Sequence, residues 1–409
     1  MPILWQGWPR CGRCGIAVGV LLFAACNSGP TEPTLGTSWV AITAGYHHTC
    51  ALTDAERAFC WGENSAGQLG VPASDTGLAT PTPVETTLRF IALSAGRTLT
   101  CGVTTELAVY CWGEDAQQGR GSSQIPICER AGVTGPCPHL PVRIESDAQF
   151  IDVTVAGTYE HWDGSLRGGP VCAVTPDGNA YCWGYGAFGA RGDGTTKTSA
   201  VPSPLAGDLQ FTQIAVSDGG GCGIAVSGEL YCWGTNAYHR LGRSDRAYSA
   251  VPLEIPAQDT WASVDVGPTH TCAVTTAGEG RCWGVNDYGV LGDGTEVDRV
   301  TPTTLLGDLN LVSVVPSYYH TCALEDGGRS YCWGYSTLTG TGAHVLDWRI
   351  LGAAPVAWSQ MLVGISLGEY HTCGVTRGGD AFCWGEAWRG QLGTGDKQYR
   401  SLPARVPPP

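Results

Sequence analysis

Seven times along this chain two cysteines stand ten residues apart, the second followed directly by Trp-Gly. The pairs are Cys50 with Cys60, Cys101 with Cys111, Cys172 with Cys182, Cys222 with Cys232, Cys272 with Cys282, Cys322 with Cys332 and Cys373 with Cys383. Successive pairs begin 50 or 51 residues apart, with one interval of 71. A unit of that length, repeated in phase, is one supersecondary module that buries its apolar faces only against its neighbours, as in propellers and solenoids.

The third unit, Val171 to Gly184, shows what the module builds. Two β-prone runs flank Pro176-Asp177-Gly178, a turn sequence. If Cys172 faces Cys182, then Thr175 faces Asn179 and the loop has three residues. Such loops are commonly a type I turn followed by a left-handed residue, where glycine fits without steric cost. Gly228, Gly278, Gly328 and Gly379 fall at the same place, while Glu56 and Leu107 occupy it in the first two units. The cysteines then form a non-hydrogen-bonded pair, with Cα atoms about 4.5 Å apart and within disulfide reach. Zinc is the rival ligand, but Cys-x9-Cys lacks the close spacing of zinc sites and no histidine pair accompanies it.

Cys172, Val174, Ala180 and Cys182 share one side of this hairpin; Ala173, Tyr181 and Trp183 take the other. Both sides are apolar, which suits a sheet held between two others. A strand such as Trp261 to Gly267 precedes each hairpin, and a glycine-rich loop and a proline-containing strand follow it. Proline implies an outer edge, where a missing donor costs little. The expected fold is therefore all-β: a seven-bladed propeller of four-stranded antiparallel blades with one hairpin disulfide per blade. The chain opens at Trp39 with no proline strand before it and ends on one, so the ring is expected to close by pairing of the N- and C-terminal strands.

Ala44 to Leu52 followed by Phe59 to Gly70, Gly267 to Val274 with Trp283 to Gly292, and Gly368 to Val375 with Trp384 to Gly393 resemble the repeats of the regulator of chromosome condensation family. The resemblance covers about residues 37–409 and implies a seven-bladed propeller. Its best-known eukaryotic member exchanges nucleotide on a small GTPase and docks on chromatin. Secreted bacterial propellers of this type that bind and inhibit an enzyme are the closer analogy for this chain.

Residues 1–25 carry Arg10 and Arg13 and then an apolar run, Gly15 to Ala25. That run suits a secretory signal and is shorter than the roughly 20 residues of a spanning helix. It stops at Cys26, which looks like the lipidated cysteine of a bacterial lipoprotein, although Phe23 stands where such signals usually have Leu. Residues 26–36 then form a flexible tether and 37–409 the propeller. The net charge is −14, or −16 once the two signal arginines are gone. With 15% charged residues the chain is a poor match to phosphate backbones, which excludes nucleic acid as a partner class. Export permits disulfides. Of 19 cysteines, Cys11 and Cys14 leave with the signal and Cys26 is the anchor. The remaining sixteen are the seven pairs plus Cys128 with Cys137.

His48, His270, His320 and His371 recur two residues before the first cysteine of their units, a slot held by Leu99, Pro170 and Gly220 elsewhere. They are expected to hydrogen-bond between blades rather than ligate metal. Asp193-Gly194 and Asp293-Gly294 are read as turns, not calcium sites. Insertions are more telling than repeats: Glu114 to Leu140, Thr158 to Pro170 and Thr339 to Leu351 all fall in connections that lie at one end of a four-stranded meander. The candidate binding face on that end is Tyr159, His161, Trp162, Phe188, Tyr238, Tyr288, Trp348 and Trp388. Aromatics on loops of low charge density are what interface cores use.

No catalytic, cofactor or metal constellation emerges from the repeat; carboxylate pairs such as Glu160/Asp163 and Glu114/Asp115 have no neighbours that shift a pKa. The expected function is a non-enzymatic protein-interaction module, lipid-anchored to a bacterial membrane in the cell envelope. The alternatives are a glycan- or small-ligand-binding, even hydrolytic, propeller and a structural envelope protein.

Overall fold

A computed structural model describes residues 37–113, 127–130, 133–136, 138–156, 158–160, 166–256, 259–342 and 348–409. Residues 1–36, with the expected export segment and tether and Cys26, and Cys137 with its expected bridge to Cys128, lie outside the described residues. Seven four-stranded antiparallel sheets follow one another in chain order, together with two two-stranded hairpins that belong to insertions. Blade 1 is Trp39–Ala44, His48–Thr53, Ala58–Asn64 and Ser74–Pro83; blade 7 is Leu362–Leu367, His371–Thr376, Ala381–Gly385 and Arg400–Arg405. Within every blade the first strand is innermost and the proline-bearing strand is the outer edge. Among the described residues, no helix is long and apolar enough to cross a membrane.

The hairpin register is the one the cysteines dictate. Cys172 faces Cys182, the Thr175 amide donates to Asn179 O at 2.9 Å, and Gly178 takes φ +81°. All seven Cys-x9-Cys pairs are disulfides. Cys50 is bonded to Cys60, Cys101 to Cys111, Cys172 to Cys182 and Cys222 to Cys232. Cys272 is bonded to Cys282, Cys322 to Cys332 and Cys373 to Cys383. Their Cα atoms stand 4.0–4.2 Å apart, somewhat closer than the about 4.5 Å expected of an unbridged facing pair. The second cysteine of each pair (Cys60, Cys111, Cys182, Cys232, Cys282, Cys332 and Cys383) is fully buried, so the bridges lie inside the blade stack.

Glu56 and Leu107 adopt the same left-handed backbone as the turn glycines, φ +61° and +63°. Glu56 is exposed and its side chain has no burial to lose. Glu56→Gly should therefore raise stability by about 1 kcal/mol, the steric cost of a Cβ in that conformation, read as a higher denaturant midpoint with unchanged slope.

Each of these turns also sets the position of the next blade. The carbonyl of the left-handed residue accepts the amide that opens the following inner strand: Phe90 from Glu56, Phe150 from Leu107, Phe211 from Gly178, Trp261 from Gly228, Leu311 from Gly278 and Leu362 from Gly328, at 2.7–2.9 Å. The seventh such bond runs from Trp39 N to Gly379 O and joins the two ends of the chain, at 2.9 Å.

That bond corrects the expected closure. The terminal strands do not pair: Trp39–Ala44 is hydrogen-bonded within blade 1 and Arg400–Arg405 within blade 7. Because each repeat starts at an inner strand and ends at an outer one, every blade is complete and needs no strand from its neighbour. The ring closes by face packing, in which Trp39, Phe59 and Trp61 of blade 1 bury against Cys373, Val375 and Cys383 of blade 7.

The same arrangement repeats around the ring, so the core lies between blades. The cysteine face of one blade meets the tryptophan face of the next, as Cys222, Ile224 and Cys232 meet Trp261 and Trp283. Cys272 and Cys282 meet Trp333 in the same way, as Cys322 and Cys332 meet Trp384 and as Cys50 and Cys60 meet Trp112. Cys101 and Cys111 pack against Trp183. All seven Trp-Gly tryptophans are at most 1% exposed. Four donate their indole N–H to the glycine-rich loop of the preceding blade: Trp61 to Gln391 O, Trp233 to Ala190 O, Trp283 to Arg240 O and Trp333 to Val290 O, at 2.8–3.1 Å. The adjoining glycine sits at positive φ beside a bulge, and at Gly62 a Cβ would lie 2.5 Å from His47 O.

Candidate functional site: the aromatic loop face

The recurrent histidines are interblade struts. His48 Nε2 meets Thr100 Oγ1, His270 meets Thr321, His320 meets Thr372, and His371 meets Thr49 across the closure, at 2.8–2.9 Å. Three of these threonines, Thr49, Thr100 and Thr321, donate their own hydroxyl proton to a loop carbonyl. The imidazole facing each must then donate from Nε2. Burial drives the pKa down, to about 4 for His48 and about 3 for His270 and His320, which keeps the rings neutral in that role. Asp193 and Asp293 also serve their own turns, each accepting from a threonine two residues on and pairing with Arg191 or Arg299. Among the described residues, no group of three His, Cys, Asp or Glu side chains is arranged to hold a metal ion.

The loop aromatics divide into two sets. Tyr288 and Trp388 join a continuous belt that crosses blades 5, 6, 7 and 1. Tyr288 packs on Tyr319 and Tyr335 at 5.9 and 5.6 Å; Tyr319 stacks on Tyr370 at 5.0 Å; Tyr370 meets Trp388 at 5.1 Å. His47 stacks on Tyr370 and meets Trp388 edge-on, and Tyr318 leans on Tyr319 at 4.6 Å. Phe188, Tyr238 and Trp348 stand apart from this belt and are 52%, 54% and 68% exposed. Phe188 touches Tyr248, and Tyr238 lies under the Arg240 guanidinium. Tyr159 lies on a short strand paired with Leu166–Gly168, whereas His161 and Trp162 lie outside the described residues.

Sequence reasoning missed Tyr319, Tyr370, Tyr335, Tyr46 and His47. Four of them sit in the connection just before the recurrent histidine, as in Tyr46-His47-His48, Tyr318-Tyr319-His320 and Glu369-Tyr370-His371. The signal was present as aromatic residues in those slots of blades 1, 6 and 7, but it merges with the repeat pattern.

Phe188, Tyr238 and Tyr288 hold φ between +56° and +66° in the single-turn 3-10 segments of the glycine-rich loops. An aromatic side chain there costs about 1–2 kcal/mol that glycine would not. Strain of this kind collects at sites of function.

At the seam between blades 7 and 1 the belt carries a charged centre. His47 Nδ1 lies 3.2 Å from Glu63 Oε2, and Nε2 lies 3.2 Å from Glu369 Oε2. Burial lowers the ring's pKa, but the hydrogen bonds and charges of Glu369 and Glu63 outweigh it, and the net shift is upward. A raised folded pKa contributes stability that is fully present below about 6.5 and fades as pH rises through the folded value. His47→Gln should therefore lower the melting temperature at pH 6 and converge on the parent by pH 9. A gap that widens with pH would contradict this assignment.

Models of the regulator of chromosome condensation (RCC1) repeat match residues 39–68, 312–338 and 362–391 in one version and 56–103, 227–274 and 282–324 in another. The chain is 27% identical over 172 residues to the ultraviolet-B receptor UVR8 of Arabidopsis thaliana, across 41% of this chain and 34% of the receptor. The chain spans about a third or less of the length of the curated relatives it matches first. Among solved structures, Prp20p of Saccharomyces cerevisiae superposes with TM-score 0.63 at 18% identity, covering 81% of this chain and 80% of that one. Human WBSCR16 superposes with TM-score 0.58 at 20% identity, covering 91% and 83%.

Proposed function

The chain belongs to the regulator of chromosome condensation repeat family, and from that premise we propose that it is a protein-docking module whose partner seats on the aromatic belt of the loop face. Prp20p, which shares the fold, is described together with its binding properties to Gsp1p and histones. The observation that carries the reading is the set of aromatics held in left-handed backbone, Phe188, Tyr238 and Tyr288, beside the belt that runs from Tyr288 to Trp388. Rigid Tyr and Trp rings bury large areas at low entropic cost, which is why they dominate interface hot spots.

The proposal extends to location. The apolar run ending at Cys26, and seven disulfides that persist only in an oxidising compartment, support an exported module tethered by a lipidated Cys26 in a bacterial envelope. Glycan binding is the second reading, favoured by the 47% exposed Trp388 ring. Photo-crosslinking from position 318 in intact envelopes should trap one protein of defined mass, lost when Tyr288 and Trp388 are both changed to Ala. Saturable binding on a glycan array with no protein crosslink would favour the second reading. Labelled fatty acid should enter the parent and not Cys26→Ser.

A further inference from the structure

The seven inner strands enclose a cavity of about 240 Å³ on the ring axis, at the mouth of the aromatic face. Among the described residues its lining includes Asp218, Asp265 and Glu369 and no Lys, Arg or His. We propose that this cavity is a binding site for a primary ammonium group on an alkyl stem, the chemistry shared by a lysine side chain and a free diamine.

The inner strands follow a local rule that explains one of the carboxylates. The side chain that faces the first cysteine of its blade accepts an amide one position further along the next inner strand: Ala95 N donates to Thr43 Oγ1, Val155 N to Ser94 Oγ and Ala44 N to Ser366 Oγ, at 2.9–3.2 Å. Asp265 occupies that acceptor position in blade 5, but the residue that would donate to it in blade 6 is Pro316, which has no N–H. Its carboxylate takes only the amide of its own neighbour Val266, at 2.8 Å.

Asp218 is the second observation, and it arises independently. It is 8% exposed, lines the cavity, and has no side-chain hydrogen bond or ion pair with another described residue. Arg240 and Arg97 attract it from farther away, and neither lines the cavity. Burial raises the pKa of Asp218 and pushes that of Asp265 up to about 6, so both carboxylates are held at a cost that a cation would remove. Glu369 shares its charge with His47.

The rim suits the same ligand. Tyr46 and Tyr318 line the opening, and the Arg97 guanidinium already lies 5.0 Å from the Tyr46 ring centroid, as a cation drawn to that ring should. An ammonium on an unbranched stem fits, with its charge among the carboxylates and its methylenes against Tyr46 and Tyr318. This deepens the docking reading and rests on it for one source, a lysine presented by the seated partner.

The test uses the full chain and two probes, cadaverine and N-acetyl-lysine-N-methylamide, titrated by calorimetry. At least one should bind saturably at one site, and raising salt from about 50 to about 500 mM should weaken it severalfold. Asp218→Asn combined with Asp265→Asn should weaken it by roughly tenfold or more, since both carboxylates that attract the ammonium are removed. The same double variant should melt at a higher temperature than the parent, because two uncompensated charges are gone; this confirms that it folds. Tyr318→Ala should weaken binding severalfold. Binding of the blocked lysine alone assigns the source to a protein side chain, and binding of cadaverine alone to a free diamine. Failure of both probes, or equal binding by the double variant, overturns the site. If crosslinks from position 318 persist in that case, the docking face stands and only the cavity assignment falls.

Discussion

Unfolded in denaturant with excess reductant and then diluted into reducing native buffer, this protein is expected not to regain its sheet signal. Each hairpin disulfide closes a loop of about ten residues, worth about 2–3 kcal/mol in the chain-entropy account. Seven such constraints amount to roughly 15–20 kcal/mol as an upper bound, more than the 5–15 kcal/mol that separates a typical folded domain from its unfolded chain. The fourteen cysteines are at most 2% exposed, so reductant added to the folded ring should act only as blades open. A single pair removed as Cys222→Ala with Cys232→Ala should cost about 2–3 kcal/mol by the same reasoning and leave the other blades formed. Circular dichroism and tryptophan fluorescence read both results. A reduced chain that melts with the parent would mean that interblade packing alone holds the ring.

The second large effect belongs to Trp61. It is fully buried at the closure, donates to Gln391 O on the other side of the seam at 2.9 Å, and packs on Trp39 with ring centroids 5.9 Å apart. Trp61→Ala should cost about 3–5 kcal/mol, the usual range for emptying an aromatic site in a core. Trp283, equally buried and donating to Arg240 O, is the control within the continuous part of the ring. Both variants should lose similar free energy, but only Trp61→Ala should raise hydrogen exchange on both sides of the closure, in residues 39–53 and 371–391. A loss under about 1 kcal/mol would show that the seam is held elsewhere.

The features that could be read from residues alone are those fixed by covalent or steric necessity. A disulfide across a hairpin permits one register, and a three-residue loop needs a left-handed third residue, so Cys172, Cys182 and Gly178 determine the blade's inner geometry without reference to the rest of the ring. The histidine struts were legible for a related reason: a polar side chain recurring at one phase of an apolar module must find its partner in the next copy. The expected strand pairing at the closure fails because neither chain end lacks a strand. A repeat that runs from inner to outer strand lacks none, so the ends meet by face packing and by the bond from Trp39 N to Gly379 O. The aromatic belt was half legible. Trp388 and Tyr288 stand on irregular loops and attract notice, whereas Tyr319 and Tyr370 lie within a repeated frame, and only the ring's curvature brings them together. The acidic character of the axial cavity was not legible, since Asp265 becomes a carboxylate short of donors only once Pro316 is known to sit opposite it.

Because no sheet is shared between the two ends, every linker from an outer strand to the following inner strand is equivalent to the existing gap, where Trp39 Nε1 already reaches Pro407 O at 3.3 Å. A gene rearranged to begin at any of those linkers, with the old ends joined, encodes seven intact modules in the same cyclic order. Whole modules are therefore natural units for duplication, loss and shuffling, and the rim that recognises a partner can change one sector at a time while the staples beneath it stay as they are.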